Sequence, residues 1–573
     1  MRTGVECLID GLIKAGVKTI FGLPGGSVLD IFDKLYHAPL EFILARHEQG
    51  ATHMADGYAR ATGKVGCCLA TSGPGATNTV TGLANANMDS IPMVCITGQV
   101  TSSMIGNDAF QEADITGITR PVTKHNYLVR NVDDLPRTIA EAFYIASTGR
   151  PGPVLVDIPK DVQRSSTDAP TPDKVSIRGY NPTTEGHPKQ ITRLAEEINK
   201  ASRPLLYVGG GVILSNASGE LTSLARKGRL PVTTTLLGLG AFPETDPLAL
   251  RMLGMHGSVT ANYATQHCDL LVSIGARFDD RVTGKISEFA PRAKIAHIDI
   301  DPSAISKSVS VDIPVVGDVK NILRVLTPLV EEKERKEWLS QLCAWKEKYP
   351  FAYEQKGDSI MPQYVIEQVY NLTKGNAIVV TEVGQHQMWS AHYFKYTQPR
   401  TFISSGGLGT MGFGLPAAIG AQIGCPDRLV VDISGDGSAQ MNFQELVVAV
   451  EHEVPIKVII LNNGHLGMVR QWQELFYKRS YSATRLGQSE RGKNERIKTK
   501  KDAKYLPDFV KLAEAHGALG MRVQEVKEVI PALEKAFGHG GPVVVECVVE
   551  PEANVYPMVP AGASLTEMIQ SMA

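Results

Sequence analysis

Residues 428–470 of the chain read RLVVDISGDGSAQMNFQELVVAVEHEVPIKVIILNNGHLGMVR. The apolar run Leu429–Ile433 is rich in β-branched residues and stops at a Gly-Asp-Gly turn, which predicts a buried strand. Apolar residues spaced by three and four predict a helix over Met441–His452, and Ile456–Leu461 predicts a second strand that ends at Asn462-Asn463. Because a strand, a crossover helix and a parallel strand form a right-handed unit, both strand ends reach the same edge of one sheet.

Asp436 and Asn463 are the candidate metal ligands at this edge. A carboxylate and an amide oxygen are hard ligands that suit Mg²⁺, which keeps its other positions for water and phosphate. Gly435 and Gly437 let the backbone approach a phosphate closely. A lone Gly-Asp-Gly is more often a tight turn than a metal site, but here 24 residues (438 to 461) separate it from a second strand end. His465, just beyond that strand end, is a third candidate ligand.

Length and composition describe an ordinary globular protein. A chain of 573 residues is too long for one core and indicates three or four domains, of which three fit the strand pattern. A hydrophobic content of 43%, a charged content of 21% and a net charge of -2 give no general attraction to nucleic acid or membrane, so small molecules or protein are the expected partners. The eight cysteines are scattered without a CxxC motif, which predicts reduced core thiols and, with no signal-like apolar run at the N-terminus, a cytoplasmic protein.

Strands that end in glycine or polar turns recur along the chain. Those predicted in its first third are Thr19–Phe21, Glu41–Ala45, Val65–Thr71, Ile91–Gly98 and Val154–Asp157. Helical patterns lie between them, which predicts an α/β fold with three doubly wound parallel-sheet domains. The expected boundaries are 1–165, 190–335 and 360–550, with a Ser/Thr/Pro-rich linker at 165–190 and a C-terminal tail at 551–573 that folds over the site.

Two spaced motifs carry a family resemblance. The Gly-Asp-Gly to Asn-Asn spacing, together with RHEQGATHMADGYARATGK at residues 46–64, resembles the thiamine diphosphate-dependent enzymes of the pyruvate decarboxylase and acetolactate synthase superfamily. An arbitrary glutamate at a helix start is usually stabilised there by the helix dipole. The resemblance instead implies that Glu48 hydrogen-bonds the pyrimidine ring of the cofactor and acts as general acid/base. In that family this glutamate reaches the cofactor across a subunit boundary, which implies a homodimer or a tetramer.

The resemblance also assigns residues to the cofactor. The tetrapeptide Val383-Gly384-Gln385-His386 would hold its diphosphate end, and Met411, between glycines, would wedge it into a bent shape, although a methionine is usually core filler. The residues assigned to thiamine diphosphate are Gly25, Ser72, Gly73, Pro74, Asn78, Val383, Gly384, Gln385, His386, Gly409, Met411, Gly435, Gly437 and Ser438.

The middle of the chain has the strand ends that a nucleotide site needs, but neither a GxGxxG fingerprint nor a GxxxxGK[ST] loop. On these grounds alone it is only a possible nucleotide binder. The runs LLGLGAFP, MLGMHG, GARFDDR and HIDIDP resemble the FAD-binding domain of anabolic acetolactate synthases. The residues thereby assigned to FAD are Arg150, Gly209, Gly210, Gly211, Met255, His256, Gly275, Arg277, Asp279, Arg281, Asp299 and Asp318.

Further side chains are assigned to the substrate by the same resemblance. Arg281 would face the substrate carboxylate as a fork-shaped cation, or else be a strand-end arginine in a surface ion pair. Lys160 would line the substrate channel, or else be a solvated turn lysine. Trp472 would shape the pocket for the second substrate, or else be a core residue. The full catalytic set is Glu48, Phe110, Gln111, Lys160, Arg281, Met468 and Trp472.

The implied function is that of the acetolactate synthase catalytic subunit. Such an enzyme decarboxylates pyruvate on thiamine diphosphate and joins the two-carbon fragment to a second pyruvate or to 2-ketobutyrate, the first common step of valine, leucine and isoleucine biosynthesis. The implied cofactors are thiamine diphosphate, Mg²⁺ and FAD, and a small regulatory subunit is an expected partner. The alternatives are an FAD-dependent pyruvate oxidase and a noncatalytic cofactor-binding regulatory protein.

Two features depart from the family pattern. Thr101 stands where relatives often carry proline. Residues 485–505 form a basic insertion, which predicts a solvated mobile loop with a possible partner-binding role. A nucleic-acid role is not expected because the segment lacks interleaved stacking aromatics.

Overall fold

The computed structural model describes residues 1–355, 357–487 and 506–570. Three six-stranded sheets follow one another along the chain, and the strand pairs within each of them are parallel. The predicted α/β fold class is therefore confirmed. Most of the basic segment predicted at 485–505 lies outside the described residues, which stop at 487 and resume at 506.

The first sheet is built from the N-terminal part of the chain in the strand order β3-β2-β4-β5-β7-β6, and β1 pairs antiparallel with β8 beside it. The strands of this part of the chain are β1 (Arg2–Thr3), β2 (Thr19–Gly22), β3 (Glu41–Leu44), β4 (Gly66–Ala70), β5 (Met93–Gln99), β6 (His125–Leu128), β7 (Pro153–Pro159) and β8 (Ser166–Thr167). Its helices are α1 (Gly4–Lys14), α2 (Leu29–Leu35), α3 (Glu48–Thr62), α4 (Pro74–Asn78), α5 (Val80–Asp89), α6 (Ile115–Thr119), α7 (Leu135–Ser147) and α8 (Lys160–Arg164).

The second sheet has the order β11-β10-β9-β12-β13-β14. Its strands are β9 (Pro204–Val208), β10 (Val232–Thr234), β11 (Ala249–Met252), β12 (Leu270–Ile274), β13 (Lys294–Asp299) and β14 (Ile313–Val316). Its helices are α9 (Pro188–Lys200), α10 (Gly210–Leu214), α11 (Ser218–Gly228), α12 (Val259–His267), α13 (Asp280–Thr283), α14 (Val319–Leu329) and α15 (Lys336–Lys348).

The third sheet has the order β16-β15-β17-β18-β20-β19. Its strands are β15 (Ala377–Thr381), β16 (Phe402–Ser404), β17 (Leu429–Gly435), β18 (Lys457–Asn462), β19 (Leu519–Val523) and β20 (Val543–Val548). Its helices are α16 (Pro362–Thr373), α17 (Gln385–Tyr393), α18 (Gly414–Gly424), α19 (Asp436–Ala439), α20 (Leu446–Glu451), α21 (Gly467–Phe476), α22 (Phe509–Ala515) and α23 (Val526–Gly538).

The segment that predicts the fold forms the expected parallel pair, with one difference in its crossover. Strands β17 and β18 pair with Gly435 opposite Leu461. The single helix predicted over 441–452 is wrong: a 3₁₀ turn at Phe443–Glu445 precedes the short α20. Tertiary contacts fix that turn, because Asn442 donates to the Gly412 carbonyl and the Glu445 carboxylate accepts the backbone N–H of Arg46.

Helices α3 and α18 join the first and third sheets. A Cβ at Gly57 of α3 would overlap the Ala417 carbonyl, and a Cβ at Gly420 of α18 would overlap the Met54 carbonyl. Glycine at both positions therefore lets the two helix backbones touch. Met54 and Ala417 belong to one apolar core that both parts of the chain share, so the N-terminal and C-terminal sheets are held together within a single chain.

The thiol prediction holds with two exceptions. All eight cysteines are free, and six of them are buried. Cys343 is exposed and Cys425 is half-buried. Separately, none of the helices in the described ranges combines the length and apolar character needed to span a bilayer.

Candidate functional site

The two strand ends predicted to hold a metal meet at one edge of the third sheet. The Asp436 carboxylate follows β17 and accepts the backbone N–H of Gly464 at 2.8 Å and that of Gly437 at 3.1 Å. Asn463 follows β18, and its amide donates to the Gln385 side chain at 3.4 Å. The parallel register thus brings Asp436, Asn463 and Gln385, from three elements, to one place.

Burial determines the electrostatics of Asp436. The side chain is almost completely buried, and this desolvation raises the pKa of its carboxyl to about 7. Both of its hydrogen-bond donors are backbone N–H groups, and no cationic side chain pairs with it among the described residues. A bound dication would remove this penalty and keep the carboxylate ionised.

His465 is a less direct neighbour of this edge. Its imidazole Nδ1 lies 2.8 Å from the Asn463 carbonyl oxygen, and burial lowers the pKa of the ring. In the part of the chain that the structure describes, no three His, Cys, Asp or Glu side chains group into a metal site. A site at Asp436 and Asn463 would accordingly draw on few protein ligands, as Mg²⁺ bound to a phosphate does.

The residues assigned to the diphosphate surround this edge. His386, near the start of α17, is buried, and its ring lies close to the backbone of Gly384 and Gly435. Ser438 lies in α19, two residues after Asp436, and is also buried. The methyl carbon of Met411 comes within 3.6 Å of the position that a Cβ on Gly437 would take. Three segments therefore meet here: residues 384–386 after β15, residues 435–438 at the end of β17, and Met411 in the loop before α18.

A second group of assigned residues gathers at the first sheet. Glu48 is the first residue of α3, is buried, and accepts a hydrogen bond from Asn78 at 3.0 Å. Gly25 packs against Thr71, whose hydroxyl meets Ser27 at 2.9 Å. The Ser72 backbone N–H donates to the Ser27 hydroxyl, and Pro74 begins α4 in the same turn.

The loop with Phe110 and Gln111 closes over that group. Gln111 has a φ of 58°, a left-handed value that is uncommon outside glycine. Its backbone packs on Gly73, where a Cβ would lie 2.8 Å from the Gln111 carbonyl oxygen. Phe110 is 88% exposed. Lys160 donates to the Gly26 carbonyl at 2.9 Å, so its ammonium lies beside the Gly25 turn.

A cavity of about 990 Å³ is lined by residues from the regions of all three sheets. Every residue assigned to FAD lines it: Arg150, Gly209, Gly210, Gly211, Met255, His256, Gly275, Arg277, Asp279, Arg281, Asp299 and Asp318. Val383, Gly384 and Gly409 of the diphosphate set line its far end, together with Met468 and Trp472. Arg281 lies over the Trp472 ring at 5.7 Å from its centroid, and its Nη1 lies 3.9 Å from the Met255 sulfur.

Comparison with known proteins agrees with this arrangement. Three family models match the chain: the N-terminal TPP binding domain of thiamine pyrophosphate enzymes at residues 2–118, their central domain at 191–326 and their C-terminal TPP binding domain at 382–547. The chain is 49% identical to the acetolactate synthase large subunit of Corynebacterium glutamicum, covering 99% of this chain and 90% of that protein. It is 47% identical to the large subunit of Haemophilus influenzae and 45% identical to the isozyme 3 large subunit of Escherichia coli, each over 99% of this chain and 98% of the relative.

The chain belongs to the acetolactate synthase family of thiamine pyrophosphate enzymes. The predicted family membership is thereby confirmed. The two outer family models cover the two groups of residues assigned to thiamine diphosphate, and the central model covers most of those assigned to FAD. The individual roles of these residues stay predictions.

Three buried acids in this member of the acetolactate synthase family were not singled out from the sequence. Glu445 lies between the first and third sheets, where burial raises the pKa of its carboxyl to about 7. Glu382 directly follows β15 and Asp432 lies on the neighbouring strand β17, and both side chains are fully buried. The available signal was weak: Asp432 interrupts an apolar run, and Glu382 directly precedes the Val-Gly-Gln-His tetrapeptide.

Proposed function

We propose that this protein is an acetolactate synthase. It decarboxylates pyruvate with thiamine diphosphate and transfers the remaining two-carbon fragment to a second pyruvate, giving 2-acetolactate, or to 2-ketobutyrate, giving 2-aceto-2-hydroxybutyrate. The observation that carries the proposal is the 45–49% identity over 99% of the chain to acetolactate synthase large subunits. Such an enzyme serves valine, leucine and isoleucine biosynthesis.

Thiamine diphosphate, when bound, supplies the electron sink that loss of CO₂ requires. Glu48 is suited to hold and move a proton at the pyrimidine ring, because its carboxylate is buried and oriented by Asn78. His386, Gly384 and Gly435 would bind the diphosphate, since they form a glycine-lined cradle beside Asp436.

Magnesium fits the edge formed by Asp436 and Asn463. The buried Asp436 carboxylate has only backbone N–H partners within the described ranges, and burial raises the pKa of its carboxyl to about 7. Mg²⁺ would be held by these two side chains, with His465 beside them. The ion would neutralise the diphosphate oxygens.

FAD fits the large cavity. Its volume of about 990 Å³ lies at the upper end of the usual range for ligand pockets, as an elongated dinucleotide needs. Gly209 and Gly211 pack on Gly275, which keeps this wall free of side chains. The reaction has no net redox step, so FAD would serve as a structural element.

The substrate carboxylate would bind near Arg281. This guanidinium lies at the cavity end shared with Met468 and Trp472 and is ready for a forked hydrogen bond. The substrate channel would be completed by three residues at the first sheet, near Glu48: Lys160, Phe110 and Gln111. Lys160 donates a hydrogen bond to the Gly26 carbonyl there.

The active site is proposed to form between two copies of the chain. The assigned residues gathered at the first sheet, here called the Glu48 group, are Glu48, Gly25, Ser72, Gly73, Pro74 and Asn78. None of them lines the large cavity in the part of the chain that the structure describes. A homodimer or tetramer would bring the Glu48 group of one copy to the diphosphate edge of another. A small regulatory subunit belongs to the proposal because the relatives are named large subunits. A cytoplasmic location belongs to it because the cysteines are free thiols, as in a reducing compartment.

One assay tests the function. The purified protein is given pyruvate under anaerobic conditions with thiamine diphosphate, Mg²⁺ and FAD, and each cofactor is omitted in turn. Acetolactate formation without an electron acceptor is the expected result. A protein that consumes pyruvate only when an electron acceptor is supplied would instead be an oxidase. Binding of thiamine diphosphate without release of CO₂ would indicate a noncatalytic protein.

A further inference from the structure

Two carboxyl groups are buried side by side under the diphosphate edge. Thr381 pairs with Ile433 between β15 and β17, so Glu382 follows beside Ser434, and Asp432 lies two residues before it on the same face of the sheet. Glu382, Asp432 and Ser434 are all fully buried. The sheet register therefore places the two acids on the same face of the sheet, two residue positions apart along the strands.

Helix α18 presses on this pair from above. A Cβ at Gly414, the first residue of α18, would overlap Asp432 Oδ1 and would lie 2.7 Å from the carboxyl carbon of Glu382. Both carboxyl groups thus reach the same spot below the helix start, where a single negative charge is favoured by the helix dipole. If both carboxyl groups were ionised here, their negative charges would repel each other strongly in the protein interior.

Several polar atoms of the cluster have no hydrogen-bond partner in the described structure. They are both carboxyl oxygens of Asp432, Oε2 of Glu382 and Nε2 of His386. The other oxygen of Glu382 accepts the Ser434 hydroxyl at 2.8 Å. Buried polar atoms are rarely left unpaired because each costs free energy. A proton shared between the two carboxyl groups would pair one oxygen of Asp432 with one oxygen of Glu382 and would leave one negative charge on the pair.

The remaining charge faces His386. Nε2 of His386 lies 3.2 Å from Oε2 of Glu382, which precedes it by four residues in the chain. The opposite edge of the ring lies against Gly384 and Gly435, where a Cβ on either residue would come within 2.9 Å of Nδ1. Glu382 is therefore placed to accept the Nε2–H and fix the ring between the two glycines.

We propose that Glu382 and Asp432 share one proton and that this carboxyl pair is the positioning element of His386 for the cofactor diphosphate. The inference rests on the proposed function, since His386 belongs to the proposed diphosphate site. Burial and the neighbouring Glu382 carboxylate both raise the pKa of Asp432 well above its usual value. His386 is the titratable group that faces the pair from α17. His53 and Arg60 of α3 contact Phe413, the residue before Gly414, and Arg60 is itself paired with Asp56 and Asp89.

The proton on Asp432 is tested by infrared spectroscopy at pH 8. A protonated carboxyl group has a carbonyl band that a carboxylate lacks. We expect this band in the difference spectrum between the wild type and Asp432→Asn. The absence of any such band would show that Asp432 is ionised and would overturn the shared proton.

The positioning role is tested by titrating the metal-loaded protein with thiamine diphosphate in a calorimeter. Glu382→Ala should weaken cofactor binding roughly 10-fold, as loss of an outer partner of a ligand typically does. Glu382→Gln keeps an acceptor oxygen and should recover most of that loss. Wild-type affinity should fall with rising pH as the shared proton is lost, whereas Asp432→Asn, which cannot ionise, should show no such fall.

Asp157→Asn is the matched control. Asp157 is also a buried carboxyl with a pKa raised by burial to about 7, but its partners are Thr97 and Gln99 of the first sheet. It should bind thiamine diphosphate like the wild type. Equal affinity of Glu382→Ala and wild type would overturn the positioning role. A wild type that binds no thiamine diphosphate would refute the proposed function instead, and the infrared band would still decide whether the proton is shared.

Discussion

Replacing Glu48 by glutamine removes a carboxylate and changes almost nothing else. The side chain is buried at the first position of α3, and one of its oxygens accepts a hydrogen bond from Asn78 at 3.0 Å. A glutamine has the same shape and keeps one oxygen for Asn78. The fold should therefore change in stability by about 1 kcal/mol or less, the net worth of one hydrogen bond.

The effect on turnover should be much larger. A positioned proton transfer contributes roughly 10²- to 10⁴-fold to rate, which corresponds to about 3–5 kcal/mol of activation free energy. A neutral amide cannot hold or return the proton, so Glu48→Gln should lose this factor in kcat at saturating thiamine diphosphate. The assay is acetolactate formation from pyruvate, alongside a cofactor titration that establishes saturation.

Glu41→Gln provides the matched control for that variant. Glu41 is an exposed glutamate on β3 of the same sheet, bonded to the Thr19 hydroxyl. Its substitution makes the same chemical change away from the site and should leave kcat unchanged. If Glu48→Gln turned over pyruvate as fast as the wild type at saturating cofactor, the proton-transfer role of Glu48 would be refuted.

Four further variants test other parts of the structure. Asp436→Asn should raise the Mg²⁺ concentration needed for half-saturation by thiamine diphosphate roughly 10-fold or more, measured by metal titration, because an amide binds the dication more weakly than a carboxylate. Asp157 has a pKa raised by burial from 3.8 to about 7, so its contribution to stability is present at pH 4 and is lost as the pH rises toward 7. Asp157→Asn should therefore gain stability over the wild type across that range, by at most about 4 kcal/mol in urea denaturation, and a constant difference would contradict this. Gly57→Val would force the valine side chain into the Ala417 carbonyl at the contact between α3 and α18. It should lower the free energy of unfolding by about 1–3 kcal/mol in urea denaturation, and an unchanged urea midpoint would contradict this. Arg281→Ala should raise the KM for pyruvate roughly 10- to 100-fold with a smaller effect on kcat, since it removes a charge-assisted hydrogen bond to the substrate carboxylate, and an unchanged KM would exclude that contact.

The sequence by itself determined the local elements and their order. Period-two and period-3.6 apolar patterns are local properties, so the bounds of β17 and β18 were predicted to within two residues. The meeting of Asp436 with the segment of Asn463 also followed from the sequence, because the handedness of a parallel crossover leaves one arrangement of the strand ends. Several residues of the site could thus be predicted without coordinates.

Only the tertiary structure decided how distant segments meet. The crossover after Asp436 became a 3₁₀ turn because Glu445 contacts Arg46, almost four hundred residues away in the chain. The sequence did not predict the approach of Glu382 to Asp432 either, since fifty residues separate the two acids in the chain and no local pattern links them. Such contacts depend on sheet register and on the close approach of α18, which long-range packing fixes and no local pattern records.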